Sequence, residues 1–107
     1  MSNVGQMMKK LQDMQARMTE MHEKLAATEL TGVAGGGMVQ IVMTGKGETR
    51  RITIDPSLVN AAEKDVLEDL IVAAINDARA KVDAEAQEQM GKLTGGLPLP
   101  PGFKMPF

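Results

Sequence analysis

The side chains that most often carry catalysis or hold metals are scarce in this sequence. It has one histidine, His22, and no cysteine, which excludes thiolate zinc sites, cysteine nucleophiles and disulfides. His22 falls on the flank of a predicted helix, and no carboxylates are spaced to complete a metal site with it. Four acids lie together at the predicted start of a second helix, where negative charge complements the helix dipole. They are Glu63, Asp65, Glu68 and Asp69. We therefore expect no enzyme, no metal site, no cofactor and no small-molecule substrate.

One lysine between glycines resembles part of a phosphate-binding loop. The segment Gly45-Lys46-Gly47 lacks the four-residue spacer between glycines, and the Ser or Thr after the lysine, that such a loop requires. Glycines between two alternating apolar segments are typical of a tight β-hairpin. We interpret this segment as a turn.

The basic residues of the N-terminal segment are better candidates for binding. They are Lys9, Lys10, Arg17 and Lys24. Residues 1–27 carry a net charge of +1 and residues 59–93 a charge of −4, in a chain whose formal charge is −2, so a polyanion should prefer the N-terminal half. Arg17 and Lys24 also stand four residues after Asp13 and Glu20, where ion pairs would only support a helix. Both interpretations remain open.

The aromatic content restricts the kind of nucleic acid that would fit. The chain has two phenylalanines and no tyrosine or tryptophan, so stacking on unpaired bases is disfavoured. A nucleic-acid partner should be double-stranded DNA, held by its backbone and shape. Arg51 is a further candidate, because strand alternation places it opposite the face of Ile52 and Ile54.

The elements that would position these cations begin with a heptad seam. Its apolar residues recur at alternating steps of three and four. They are Val4, Met7, Leu11, Met14, Met18, Met21 and Leu25. The spacing predicts a helix over about residues 3–27, whose seam would span roughly 32 Å at about 1.5 Å per residue. Such a helix projects from a small domain or pairs with another helix, and its methionines are expected to form a packing surface.

Three strands and a second helix complete the predicted protomer. Strands are expected over about residues 28–34, 38–44 and 49–55, with the last two paired as an antiparallel hairpin. The second helix is expected over about residues 63–90, with Asp65 and Glu68 as a capping pair at its start. Its wide apolar face should cover the hairpin. That face consists of Leu67, Leu70, Ile71, Ala74, Ile75, Ala78 and Val82.

The length and composition of the chain suit one small domain. Among 107 residues 43% are hydrophobic, which predicts a single α+β domain over residues 1–93. Residues 94–107 are rich in proline and glycine and are expected to form an extended or disordered tail. Because a short chain buries a limited share of its surface, self-association as a homodimer is expected. No apolar stretch suits a signal peptide or a membrane span, so we expect a cytoplasmic protein with no membrane partner.

Four stretches distributed over the whole chain are typical of one family. They are MMKKLQDMQARM, ITIDPSL, LEDLIVAAINDA and LPPGFKMPF. In these stretches the sequence resembles the YbaB/EbfC family of nucleoid-associated proteins. The last stretch is the most specific, because no general rule of folding requires a proline-rich segment of that composition.

This resemblance implies a fold and a function. The implied protomer is αβββα, with a three-stranded antiparallel sheet packed by a helix and a long projecting N-terminal helix. Two protomers would form a tight homodimer that binds DNA, alters its conformation, and contributes to nucleoid organisation and gene regulation in the bacterial cytoplasm. The implied DNA contacts fall on the long helices: Lys9, Lys10, Arg17 and Lys24 in the first, and Arg79 and Lys81 in the second.

Two functional hypotheses therefore stand at this point. In the first, a homodimer grips duplex DNA with the basic residues of the first helix, while the sheet and second helix form the rigid dimer body. In the alternative, the protein is an interaction module whose methionine-rich seam receives an amphipathic helix of a partner protein.

Overall fold

The computed structural model describes residues 3–93, and the predicted α+β fold is confirmed there. Helix α1 spans Asn3–Ala27 and helix α2 spans Lys64–Leu93. Strands β1 (Glu29–Ala34), β2 (Val39–Thr44) and β3 (Thr49–Ile54) lie between them; one short 3-10 turn joins β1 to β2, and two more lie between β3 and α2. The protomer is thus αβββα. The predicted tail over residues 94–107 lies outside the described residues.

The three strands form one antiparallel sheet in the order β1-β2-β3. Gln40 faces Val33 on one side and Thr53 on the other. The turn between β2 and β3 is held by Thr44, whose Oγ1 accepts hydrogen bonds from the backbone N–H groups of Lys46 and Glu48, both at 3.3 Å. Gly47 has a φ of 85°, which favours glycine. The glycine-lysine-glycine segment is therefore the predicted hairpin turn.

The main core lies between the sheet and α2. Alternate residues of β2 face the helix, and the buried members of this core are Val39, Ile41, Met43, Leu58, Ala74, Ala78 and Val82. Burying each of the larger aliphatic side chains contributes about 1.5–3 kcal/mol. These contacts between the sheet and α2 form the larger of the two hydrophobic clusters in the described residues.

The position of α2 over the sheet differs from the prediction. The helix packs on β1 and β2, whereas the sequence pattern predicted that it would cover the β2–β3 hairpin. Gly32 in β1 has no side chain and lets the helix approach that strand most closely. As a result Ile52 of β3 is 45% exposed, and Ile75, predicted to lie in the core, is 38% exposed.

The start of α2 also differs from the prediction. The cap is provided by Asn60, whose Oδ1 accepts a hydrogen bond from the backbone N–H of Glu63 at 3.1 Å. A 3-10 turn over Ala61–Glu63 then leads into the helix. Asp65 already lies inside the first turn of α2, so the predicted capping pair with Glu68 is wrong. An asparagine was missed because the 3-10 turn separates it from the apolar periodicity of the helix.

The turn between β3 and α2 begins at Asp55. Its Oδ1 accepts hydrogen bonds from Ser57 Oγ at 2.7 Å and from the Ser57 backbone N–H at 2.9 Å. These two bonds to the ionised carboxylate lower the pKa of Asp55, the hydroxyl bond having the larger effect. Pro56 follows at the first position of a 3-10 turn, where a missing N–H costs nothing.

Two backbone groups on the outer edge of β1 are bonded by side chains of α2. Asp77 Oδ2 accepts a hydrogen bond from the Val33 backbone N–H at 2.9 Å. Lys81 Nζ donates to the Thr31 carbonyl oxygen at 2.7 Å and pairs with Asp77 at 3.0 Å. Unpaired edge groups of this kind invite association with other strands, and these contacts cover part of that edge.

Candidate nucleic-acid interface

The heptad seam of α1 is divided by its surroundings into a covered and an uncovered part. Leu25 is fully buried and Met21 is 6% exposed, and both pack with Met90 of α2. Towards the N-terminus the side chains emerge, so that Leu11 is 66% and Met7 63% exposed. Helix α1 therefore projects from the body of the protomer, as the resemblance implied. The seam residues found at the surface are Val4, Met7, Leu11 and Met14.

The basic residues of α1 are spaced to form one row along the projecting helix. Lys10, Arg17 and Lys24 follow one another at intervals of seven residues, which returns each to nearly the same side of the helix. At about 1.5 Å per residue the row is roughly 21 Å long. Lys9 lies beside its outer end. All four residues are exposed.

The ion pairs that would have neutralised this row are not formed. Among residues 3–93, the ion pairs are Arg50 with Glu48, Arg51 with Glu29, Lys81 with Asp77, and Lys92 with Glu88. None of them includes a lysine or arginine of α1. The carboxylates of Asp13 and Glu20 still line the same shallow grooves as the cations and reduce the local field. The cations themselves keep their hydrogen-bonding capacity for a ligand.

The structure adds one cation that sequence reasoning missed. Lys92, in the last turn of α2, lines a groove of about 310 Å³ together with Arg17 and Lys24 of α1. Its pair with Glu88 is long, at 3.8 Å, and both side chains are about 60% exposed, so it contributes little stability. The basic row is therefore widened at its inner end by a residue of the second helix. Nothing in the sequence indicates that the end of α2 lies beside the middle of α1.

The other three predicted DNA-binding residues lie elsewhere. Arg51 is on the face of the sheet away from α2, where it bonds Glu29 at 3.2 Å. Arg79 lies on α2 beside Gly47 of the hairpin turn. Lys81 is held at the edge of β1 by its bonds to Thr31 and Asp77. The seven predicted residues thus form one row on α1 and three separate positions, and they do not form a single surface.

The pairing of Lys81 with Asp77 has an electrostatic consequence. The backbone N–H of Val33 and the Lys81 ammonium both bond the carboxylate, and they lower the pKa of Asp77 with the backbone bond as the larger cause. Lys81 is therefore committed to a contact inside the protomer. The i,i+4 spacing of Asp77 and Lys81 indicates this pair in the sequence, whereas the bond of Lys81 to Thr31 has no such signal.

The described residues were also compared with the requirements of a metal site and of a membrane span. No group of three or more His, Asp or Glu side chains within residues 3–93 is placed to hold a metal ion. His22 faces the hairpin turn, where its Nδ1 stands 3.3 Å from Lys46 Nζ. Neither helix of this part of the chain is long and apolar enough to cross a membrane.

The body formed by the sheet and α2, with α1 projecting from it and presenting cations that form no ion pair within residues 3–93, has the arrangement of a small binding domain. The sequence profile of the YbaB/EbfC DNA-binding family matches residues 1–97. The chain belongs to this family, and the resemblance found in the sequence is confirmed.

Individual relatives agree with this assignment. The chain is 58% identical to a nucleoid-associated protein of Rhodospirillum centenum and 53% identical to one of Rhodospirillum rubrum, in each case over 100% of both chains. It is 51% identical to a nucleoid-associated protein of Agrobacterium fabrum, again over both full lengths. An uncharacterized protein from Helicobacter pylori, known from its crystal structure, superposes with a TM-score of 0.76 at 27% identity, covering 85% of this chain and 96% of that one.

Proposed function

We propose that the protein is a nucleoid-associated protein that binds duplex DNA as a homodimer through the basic row of α1. The observation that carries the proposal is that the cations of α1 are exposed, form no ion pair within residues 3–93 and stand in one row along the projecting helix. Unpaired cations on a rod can neutralise phosphates and release counterions. Membership of a DNA-binding family and the names of the relatives support the same function.

Dimerisation would increase the number of cations that can contact DNA at once. A single chain has a formal charge of −2 and only four cations in the row of α1, which is a weak attraction for a polyanion. Two projecting helices double the number of phosphates that can be contacted at once and provide a second, intramolecular binding event. Contacts of this kind go to the DNA backbone and carry no sequence information directly, so DNA shape would guide the choice of site and the duplex would change its conformation to meet both helices.

The surface best suited to form the dimer body is the part of the sheet that α2 leaves uncovered. Ile52 lies on the face that α2 covers, yet it is 45% exposed. Arg79 lies beside the hairpin turn, and this contact shows which side of α2 adjoins the uncovered part of the sheet. Val72 and Ile75 share that side through helical periodicity and are 59% and 38% exposed. A second copy placed here would bury this apolar surface and leave both α1 helices free to reach DNA.

The basic row is tested by measuring affinity for duplex DNA against salt concentration. The variant Lys9→Gln, Lys10→Gln, Arg17→Gln, Lys24→Gln should weaken binding to all duplex sequences and flatten the salt dependence. The slope should fall by about 0.9 for each phosphate that the protein no longer neutralises. Binding that keeps the affinity and slope of the unaltered protein would refute the role of α1.

A matched pair of variants controls for net charge. Lys10→Gln with Arg17→Gln removes two charges from the row, and Arg50→Gln with Lys64→Gln removes two exposed charges of the same kinds from outside it. Only the first pair should weaken binding strongly. Equal losses would mean that total charge, and not the row on α1, determines affinity.

A further inference from the structure

The outer part of α1 presents an apolar surface that nothing in the described part of the chain covers. We define the α1 stripe as Met7, Met8, Leu11, Met14 and Met18. Met8 is 57% and Met14 43% exposed, and a shallow groove of about 490 Å³ runs between the side chains from Met8 to Met18. Contiguous exposed apolar surface on a small protein usually marks a docking site.

The geometry of the two helices directs the end of α2 towards this stripe. Helix α1 is attached to the sheet at its C-terminal end, where the Leu25 carbonyl oxygen accepts a bond from the Gly45 backbone N–H at 2.8 Å. Helix α2 leaves the sheet after Val82, and its end packs beside α1, where Met90 and Leu93 join Met21. The two helices are therefore antiparallel: the chain approaches the sheet along α1 and leaves it along α2. Leu93 lines a groove with Arg17, one turn from Met14, so the chain leaves α2 at the inner end of the stripe.

The segment that follows Leu93 has the composition that such a surface would take up. Residues 94–107 read TGGLPLPPGFKMPF and include both phenylalanines of the chain and four of its five prolines. Proline-rich segments bind apolar surfaces at a low entropic cost, because their extended backbone is largely fixed beforehand. The two glycines after Thr94 permit a change of direction at the end of a helix.

The segment is also long enough. At about 3.1 Å per residue an extended run of 14 residues reaches roughly 43 Å, whereas the distance along α1 from Met21 to Met7 is about 21 Å at 1.5 Å per residue. Attachment beside the stripe gives the segment a high effective concentration there, which favours it over any free ligand.

We propose that residues 97–107 dock along the α1 stripe of their own protomer, with Phe103 and Phe107 packed among the methionines. Lys10 and Arg17 share grooves with Met14 of the stripe, so the basic row borders the stripe and the docked segment would lie beside it. Contacts between methionine sulfur and aromatic rings would add to the burial of apolar surface. The inference concerns the apolar side of α1 and does not depend on the function proposed above.

The test is NMR on the full chain with labelled methionine methyl groups and phenylalanine rings. We expect nuclear Overhauser effects from the rings of Phe103 and Phe107 to the methyl groups of Met7, Met8 or Met14, and their disappearance in the variant Phe103→Ala, Phe107→Ala. The control Lys104→Gln alters the same segment without removing a ring and should keep the effects. Their absence in the unaltered protein would overturn the proposal.

A second measurement distinguishes docking within one protomer from docking between two protomers. Samples mixed from chains labelled only at methionine and chains labelled only at phenylalanine report proximity between protomers. Cross-peaks that are absent from the mixed sample and present in uniformly labelled protein support docking within one protomer. Cross-peaks that appear in the mixed sample, at the reduced intensity that random pairing of the two kinds of chain allows, would overturn it and place the segment on a second copy. Amide exchange gives an independent check, since residues 7–18 should exchange faster in the double-alanine variant, and equal rates would count against docking.

Discussion

Gly32 of β1 lies directly against Ala78 of α2, so that a Cβ atom on Gly32 would stand 2.6 Å from the Ala78 Cβ. It would be closer still to the carbonyl oxygen of Ala74. Both alanines are fully buried. Small residues on the two elements thus set the separation of helix and sheet, and they let Asp77 and Lys81 reach the backbone of the edge strand.

Replacement of Gly32 by alanine should therefore destabilise the protein. The added methyl group meets backbone atoms, which cannot rotate away, and overpacking of this kind costs about 1–3 kcal/mol. Urea unfolding would show the loss as a lower midpoint with an unchanged slope. The control is Gly5→Ala in α1, where an added Cβ meets nothing within 4 Å and alanine favours the helix. A Gly32→Ala protein as stable as the unaltered one would show that α2 can shift without cost.

Much of the fold was predictable because it depends on local periodicity. The seven-residue repeat predicted α1, and alternation with glycines between predicted the β2–β3 hairpin, since both patterns are read along the chain alone. The covered part of the seam could not be predicted in the same way. Met21 is buried and Met7 exposed because α2 ends beside Arg17, and that position depends on how the helix crosses the sheet.

In the candidate site, too, features set by contacts distant in the sequence could not be predicted. The basic row of α1 follows from spacing within one helix, so it was visible in the sequence. Lys92 lies beside the row, and Lys81 lies away from it, because each contacts residues that are distant in the sequence. Lys81 bonds Thr31, 50 residues earlier. A count of cations does not distinguish one that faces solvent from one that closes the edge of a sheet.

Asn60 provides a second test of stability. Its side chain accepts the bond from the Glu63 N–H and donates to the Ser57 carbonyl oxygen at 3.0 Å. Asn60→Ala should cost about 1 kcal/mol, within the usual range of about 0.5–2 kcal/mol for loss of a cap. Asn60→Asp retains the acceptor and should recover most of the loss at neutral pH. If both variants unfold at the same urea concentration, the cap is not the source of the effect.

Asp77 predicts a specific sensitivity to acid. Since its pKa is lowered in the folded protein, its contribution to stability is fully present above the ordinary pKa of aspartate, about 3.9. That contribution is lost as the pH falls from there through the lowered value. Asp77→Asn should therefore be less stable than the unaltered protein at pH 7, and the difference should shrink at about pH 3.

The measurement for Asp77 is urea unfolding at both pH values. Asp83→Asn removes an exposed carboxylate from the same helix and serves as the control, since it should lower stability little at either pH. The turn at Asp55 loses its own hydrogen bonds in acid in all three proteins, so it does not affect the comparison. A gap between Asp77→Asn and the unaltered protein that stays constant with pH would contradict the assigned role of the carboxylate.

The last prediction connects the dimer surface to DNA binding. Ile52→Gln with Ile75→Gln places two amides on the proposed surface without changing the charge, and sedimentation equilibrium should then show single chains. If each protomer neutralises four phosphates, the slope of log affinity against log salt should fall from about −7 for a dimer to about −4 for a single chain. Thr53→Gln with Ala84→Gln alters one exposed residue of β3 and one of α2 outside that surface, and it should leave both measurements unchanged.

A dimer that survives the isoleucine changes would require another surface. A single chain that retains the steep slope would mean that one α1 helix is sufficient, and that the second helix adds nothing to the grip on the duplex.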